Sequence, residues 1–65
     1  MENYKFRVQK FGKELKVLWQ DPDATHEGIS DEDYAKDLTY WHLLDQSNEP
    51  LVEAAKSALG EAWPY

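Results

Sequence analysis

The sequence YKFRVQKFGKELKVLW, residues 4–19, determines the fold because apolar and polar side chains alternate on both sides of one glycine. Alternation with a period of two is typical of a β-strand with one buried face. Gly12 and Lys13 separate the two runs, and a two-residue turn with glycine first favours a type II′ hairpin. That turn pairs Phe11 with Glu14. The pattern therefore predicts an antiparallel β-hairpin over about residues 3–20.

The predicted register gives the hairpin two different faces. One face collects apolar side chains for the core: Tyr4, Phe6, Val8, Leu15, Val17 and Trp19. The opposite face is basic with two apolar members, and it is a candidate binding surface: Lys5, Arg7, Phe11, Lys16 and Leu18. Such a strand surface can contact nucleic acid or an acidic protein, but exposed lysines also protect hairpin edges against pairing with other chains.

Two helices are predicted after a connecting loop at residues 21–29. Ser30 is a good N-cap for a first helix over about residues 31–46, with a core stripe formed by Tyr34, Leu38 and Trp41. Pro50 suits the first turn of a second helix and Gly60 suits its end, which predicts a helix over about residues 50–59.

A short aromatic tail, residues 61–65, follows the second predicted helix. We expect one small domain, residues 1–65, of the α+β class. Its element order should be ββαα, with both helices packed on one face of the hairpin.

Length and composition limit the possible functions. The chain has 65 residues, no cysteine and nine aromatic residues, so its stability must come from packing. No apolar run has the length of a signal peptide or a membrane span, and we expect a soluble, cytoplasmic protein. A domain of this size rarely encloses a ligand pocket. We therefore expect neither enzymatic activity nor a cofactor.

Acidic residues are concentrated in the loop and at the start of the first predicted helix. Seven of them fall within seventeen positions: Asp21, Asp23, Glu27, Asp31, Glu32, Asp33 and Asp37. With a sequence pI of about 4.6, the molecule as a whole should be repelled by nucleic acid and by anionic membranes. The acids could keep the protein soluble, dock on a basic partner, or imitate a row of phosphates.

The acidic loop also admits a calcium-binding interpretation. Oxygen-bearing side chains occupy relative positions 1, 3, 5, 7 and 12 of an EF-hand loop: Asp21, Asp23, Thr25, Glu27 and Glu32. However, His26 replaces the glycine that the motif needs at position 6, and the preceding element is a predicted strand instead of a helix. We therefore predict no metal site and keep calcium binding as an alternative.

His42 is expected to be a partly buried structural residue.

The composition favours a non-catalytic interaction protein, either an inhibitor or an accessory subunit. It would bind a larger protein, for example one with a nucleic-acid-binding site, through the acidic residues. Small acidic inhibitors made by phages have this general composition, and the protein would act as a nucleic-acid mimic of that type. Four further side chains are predicted to act as apolar anchors of the contact: Tyr40, Leu43, Trp63 and Tyr65. The alternative is a binder of nucleic acid or acidic protein that uses the basic hairpin face. Monomer and homodimer both remain open.

Overall fold

The computed structural model describes residues 3–65. Its elements are β1 (Lys5–Phe11), β2 (Glu14–Gln20), α1 (Asp31–Lys36), a 3₁₀ turn (Leu38–Tyr40), β3 (His42–Leu43), α2 (Glu49–Leu59) and a second 3₁₀ turn (Gly60–Ala62). The three strands form an antiparallel sheet in the order β1-β2-β3. The α+β class is therefore confirmed, whereas the element order is not a simple ββαα.

The hairpin has the predicted register. Phe11 pairs with Glu14 and Val8 pairs with Val17. Gly12 has a φ of 62°, and no non-glycine residue among residues 3–65 has a positive φ. A positive φ at the first turn residue only is what a type II′ turn requires, because that turn matches the right-handed twist of the flanking strands.

The first predicted helix, residues 31–46, is wrong beyond Lys36. Ser30 caps its start as expected, since the hydroxyl accepts a hydrogen bond from the Asp33 N–H at 3.1 Å. Asp37 then adopts an extended backbone with a ψ of 120°, which ends α1. Its carboxylate accepts a hydrogen bond from the Thr39 N–H at 2.9 Å and so begins the 3₁₀ turn.

Part of the predicted helix is a strand instead. His42 pairs with Trp19, Leu43 pairs with Leu18, and the Leu44 N–H donates to the Val17 carbonyl oxygen at 2.9 Å. Without β3, this stretch of β2 would present unpaired backbone groups at the sheet edge. A long-range pairing therefore replaces the helical turns that the local apolar spacing favours.

The helical segments cover both faces of the sheet, so the prediction that both helices pack on one face is wrong. On the outer face, the side-chain amide of Gln20 donates to the carbonyl oxygens of Tyr34 at 2.6 Å and Tyr40 at 3.2 Å. The Trp41 indole N–H donates to the Ala35 carbonyl oxygen at 3.0 Å. The Gln20 bonds hold α1 and the Leu38–Tyr40 turn, the outer cover, against the sheet, and the Trp41 bond ties α1 to the residue that follows the turn.

Helix α2 covers the inner face. Val17 points to this face and is 1% exposed, while Leu51 and Ala55 are buried where α2 contacts β1. The second predicted helix is present with a start one residue earlier than expected, and Gly60 caps its end with a φ of 55°.

No helix within residues 3–65 is long and apolar enough to cross a bilayer.

Candidate interaction surfaces

Seven acidic residues lie within one segment, residues 21–37, which comprises the loop and α1 with its capping residues. We call them the acidic surface: Asp21, Asp23, Glu27, Asp31, Glu32, Asp33 and Asp37. The side chain of Asp31 is 98% exposed and that of Glu32 is 71% exposed. Residues 21–37 contain these seven acids and one lysine, a net charge equal to the −6 of the whole chain. The remaining residues sum to zero, so the entire charge imbalance resides in this segment.

Local hydrogen bonds give the loop a defined shape. The Asp21 carboxylate accepts from the Asp23 N–H at 2.9 Å, and the Asp21 carbonyl oxygen accepts from the Tyr34 hydroxyl at 2.9 Å. The Asn3 amide donates to the Asp23 carboxylate at 3.1 Å. Within residues 3–65, no group of three acidic, histidine or cysteine side chains is arranged to hold a metal ion. The EF-hand spacing therefore does not produce converging ligands.

His26 joins the loop to α1. Its Nδ1 lies 2.7 Å from the Ala24 carbonyl oxygen, and its Nε2 lies 2.7 Å from a carboxylate oxygen of Asp31. The imidazole stacks on the Tyr34 ring with a centroid distance of 4.1 Å and an interplanar angle of 2°. Both ring nitrogens face acceptors, so the geometry fits the doubly protonated imidazolium. The hydrogen bond to Asp31 is the main cause that raises the pKa of His26 above its ordinary value of 6.5.

Tyr40 is the one predicted anchor that lies beside the acidic surface. It lines a depression of about 340 Å³ together with Asp33, Lys36 and Asp37. The Thr39 backbone N–H donates to Asp37 and holds the pKa of this carboxyl below its ordinary value of 3.8. Asp37 is therefore a firmly ionised member of the surface. The depression combines carboxylates with the half-buried ring of Tyr40.

The other predicted anchors lie elsewhere. Leu43 is 58% exposed and projects from β3 on the outer face. Trp63 and Tyr65 contact each other edge to face at 5.3 Å, and the Lys56 ammonium lies 5.8 Å from the Trp63 ring centroid. The tail therefore packs partly on itself and on α2, while Tyr65 remains 53% exposed.

The predicted basic hairpin face is not free. Leu18 is 3% exposed, and the Arg7 guanidinium lies 5.3 Å from the ring centroid of Trp41. The sequence predicts that both positions are available to a partner, but the outer cover buries Leu18 and covers Arg7 in part. Lys5, Phe11 and Lys16 remain accessible to different degrees at the margins of the cover.

The outer cover ends before the hairpin turn and leaves an apolar groove that sequence reasoning missed. The groove measures about 390 Å³ and is lined by residues of four segments: Phe11, Lys16, Leu18, Leu38, Thr39, Trp41 and Leu43. No local sequence signal indicates it, because it depends on where α1 stops and where β3 pairs. Lys16 lies 3.9 Å from Glu14, so its charge is partly balanced.

His42 differs from the expected partly buried residue. It is exposed on the edge strand β3, where its ring lies 4.6 Å from the Trp19 ring at an angle of 32°. The position follows from strand pairing with Trp19 and not from a helix beside Trp41.

Comparison of the chain with protein-family models, curated proteins and solved structures gave no significant match. Its function must therefore be inferred from its own surfaces.

Proposed function

We propose that the protein is a non-catalytic interaction protein whose acidic surface docks on a basic site of a larger protein. The supporting observation is that residues 21–37 carry the whole net charge of the chain on an exposed surface. Carboxylates spread evenly over the molecule would be sufficient for solubility. Their concentration on one segment provides a directional field that accelerates association with a basic partner.

A nucleic-acid-binding site is the class of basic site that fits this surface best. Such sites are lined with lysine and arginine that normally neutralise phosphates. The carboxylates of the acidic surface would occupy the same positive potential, and the protein would thereby act as an inhibitor that excludes nucleic acid. Direct binding of nucleic acid by the acidic surface is disfavoured by charge.

The hydrogen bonds of the loop support this proposal energetically. Asp21, His26 and Tyr34 fix the loop against α1, so less conformational entropy is lost when a partner binds. Tyr40 supplies a half-buried aromatic contact next to the carboxylates, and aromatic side chains are frequent sources of binding energy at interfaces.

Two matched triple variants test the proposal. Glu27→Gln, Glu32→Gln and Asp33→Asn remove three charges from the acidic surface without removing a capping side chain. The control variant carries Glu49→Gln, Glu53→Gln and Glu61→Gln on and after α2. Both sets change exposed residues, and each set disrupts one exposed helical ion pair, Glu32–Lys36 or Glu53–Lys56.

Each protein would be immobilised and exposed to a lysate of its native host depleted of nucleic acid, with quantitative mass spectrometry of the captured proteins. We expect the acidic-surface variant to lose captured partners by at least about tenfold, because roughly 1.4 kcal/mol of binding free energy corresponds to a factor of ten. The control variant should retain them, and added duplex DNA should compete. Equal losses in both variants, or capture that DNA does not reduce, would contradict the proposal.

A further inference from the structure

The side of β1 that faces away from β2, its outer edge, is the longer of the two open edges of the sheet. The strand order β1-β2-β3 places only β2 beside it, and no other strand in residues 3–65 pairs with it. The opposite edge of the sheet is the two-residue strand β3, whereas β1 extends over seven residues. A strand of that length offers enough backbone groups to pair with an additional strand.

The register identifies the backbone groups at this edge. In an antiparallel pair joined by a two-residue turn, the closing pair Phe11–Glu14 is hydrogen-bonded and alternate pairs are not. The Val8–Val17 pair is therefore not hydrogen-bonded within the hairpin. The Leu44 N–H bond to the Val17 carbonyl at 2.9 Å supports this assignment, since it shows that Val17 faces β3. The N–H and C=O groups of Phe6, Val8 and Lys10 correspondingly point away from β2.

Exposure of the side chains agrees with an open edge. Val8 and Val17 are opposite each other on the same inner face of the sheet. Val17 is 1% exposed, but Val8 remains partly exposed although α2 contacts β1. The difference arises because β2 has a strand on both sides and β1 has one on a single side.

The charges of β1 select the kind of strand that can pair with it. Lys5, Arg7 and Lys10 lie on this strand, which contains no acidic residue. Antiparallel pairing of β1 with β1 of a second copy, centred on Val8, would make the two Arg7 side chains diagonal neighbours and bring six basic residues together. Like charges at such positions disfavour self-pairing, whereas carboxylates there are attracted.

We propose that the outer edge of β1 binds an extended acidic segment of another protein, which adds to the sheet as a fourth strand. The two faces of β1 specify an alternating pattern in that segment. Apolar β-branched residues would extend the row of Phe6 and Val8, and acidic residues would lie beside Lys5 and Arg7. The edge of β1 uses residues other than those of the acidic surface, and the present proposal does not depend on the function proposed above.

A synthetic peptide of about nine residues, in which glutamate and valine alternate, is the probe. Binding to the full chain would be measured by titration calorimetry, and the site would be mapped by NMR amide exchange. We expect the Phe6, Val8 and Lys10 amides to exchange rapidly in the free protein and to become protected with the peptide. The same peptide N-methylated at alternate residues keeps its charge and should bind at least tenfold more weakly, because it cannot donate to the strand. Equal binding of both peptides, or protection elsewhere, overturns the proposal.

Three variants address charge and self-association. Lys5→Gln removes a charge from the face that the acidic residues would adjoin, and it should weaken peptide binding severalfold. Lys13→Gln removes the same charge off β1 and should not weaken binding. Equal weakening by the two variants would reduce the interaction to general electrostatics and overturn the proposal. Sedimentation of the free chain should show a monomer. A dimer that dissociates on Val8→Pro would mean that a second copy occupies the edge, and it would also overturn the acidic-segment assignment.

Discussion

His26 joins the loop of the acidic surface to α1 through three contacts. It is only 20% exposed, although it lies in a loop rich in charged residues. The Asp31 carboxylate, the Ala24 carbonyl and the Tyr34 ring contact it from different directions. A neutral imidazole has one nitrogen without a proton, and that nitrogen would then face an acceptor. The loop conformation and the protonation of His26 are therefore coupled.

We expect the unfolding temperature to fall as the pH rises above about 6.5, because the pKa of His26 is raised in the folded protein. In the unfolded chain His26 has a pKa of about 6.5. Below this pH the imidazole is protonated in both states, and its contribution to stability is fully present. It is lost as the pH rises through the folded pKa. Thermal unfolding followed by circular dichroism between about pH 5.5 and 9 measures this.

Asp31→Asn should flatten that pH dependence, since it removes the main cause of the raised pKa of His26. His42→Gln is the control, because His42 has no part in the loop and should leave the dependence unchanged. A slope that persists in Asp31→Asn, or that disappears in His42→Gln, would show that another group is responsible.

The elements of the protein differ in how far they can be predicted from the sequence. The hairpin could be predicted to its register, because alternation and the Gly12 turn act within a short stretch of chain. The end of α1 could not, because Asp37 and the pairing of His42 with Trp19 decide it, and that pairing joins residues far apart in the sequence. Local periodicity contains no information about such a pairing.

The acidic surface and the apolar groove differ in how far they can be predicted, for the same reason. Asp31 and Glu32 could be assigned to an exposed surface from the sequence, since unpaired carboxylates are strongly disfavoured in a core. The apolar groove could not, because Phe11, Leu38 and Leu43 reach it from separate elements. The burial of Leu18 likewise depends on the outer cover, which no local pattern places there.

Helix α2 packs tightly on the sheet through one small residue. Ala55 is 0% exposed, whereas Ala58, less than one turn later, is exposed. Ala55→Leu should destabilise the fold by about 1–3 kcal/mol, because added methylenes must displace close neighbours. Ala58→Leu should change the free energy of unfolding by less than about 0.5 kcal/mol. Urea unfolding measures both, and leucine and alanine have similar helix propensity. Similar losses for the two variants would contradict the close packing at Ala55.

The molecule as a whole is a sheet between two helical layers that are attached differently. The inner layer, α2, is held by apolar burial of Leu51 and Ala55. The outer cover has no fully buried apolar residue of its own and is held largely by hydrogen bonds from Gln20 and Trp41. We infer that the outer cover opens more readily than α2, since few buried apolar contacts oppose its opening.

Gln20→Met tests this difference between the layers. Gln20 is 1% exposed, and its loss leaves the carbonyl oxygens of Tyr34 and Tyr40 without their side-chain donor. We expect a loss of about 1–3 kcal/mol in the free energy of unfolding. Amide exchange should increase mainly within residues 31–41 and least within α2. Gln46→Met, at an exposed loop position, is the control and should change neither quantity. Uniform acceleration across the chain would contradict independent opening of the outer cover.

The three tryptophans are distributed one to a layer. Trp19 lies in β2 against Tyr4 and His42, Trp41 follows the outer cover, and Trp63 follows α2. All three are half-buried, and each has a different neighbour: a stacked ring, a guanidinium or an ammonium. The chain thus contains a separate intrinsic fluorophore for each layer, and its emission spectrum can report the loss of one layer while the other two remain folded.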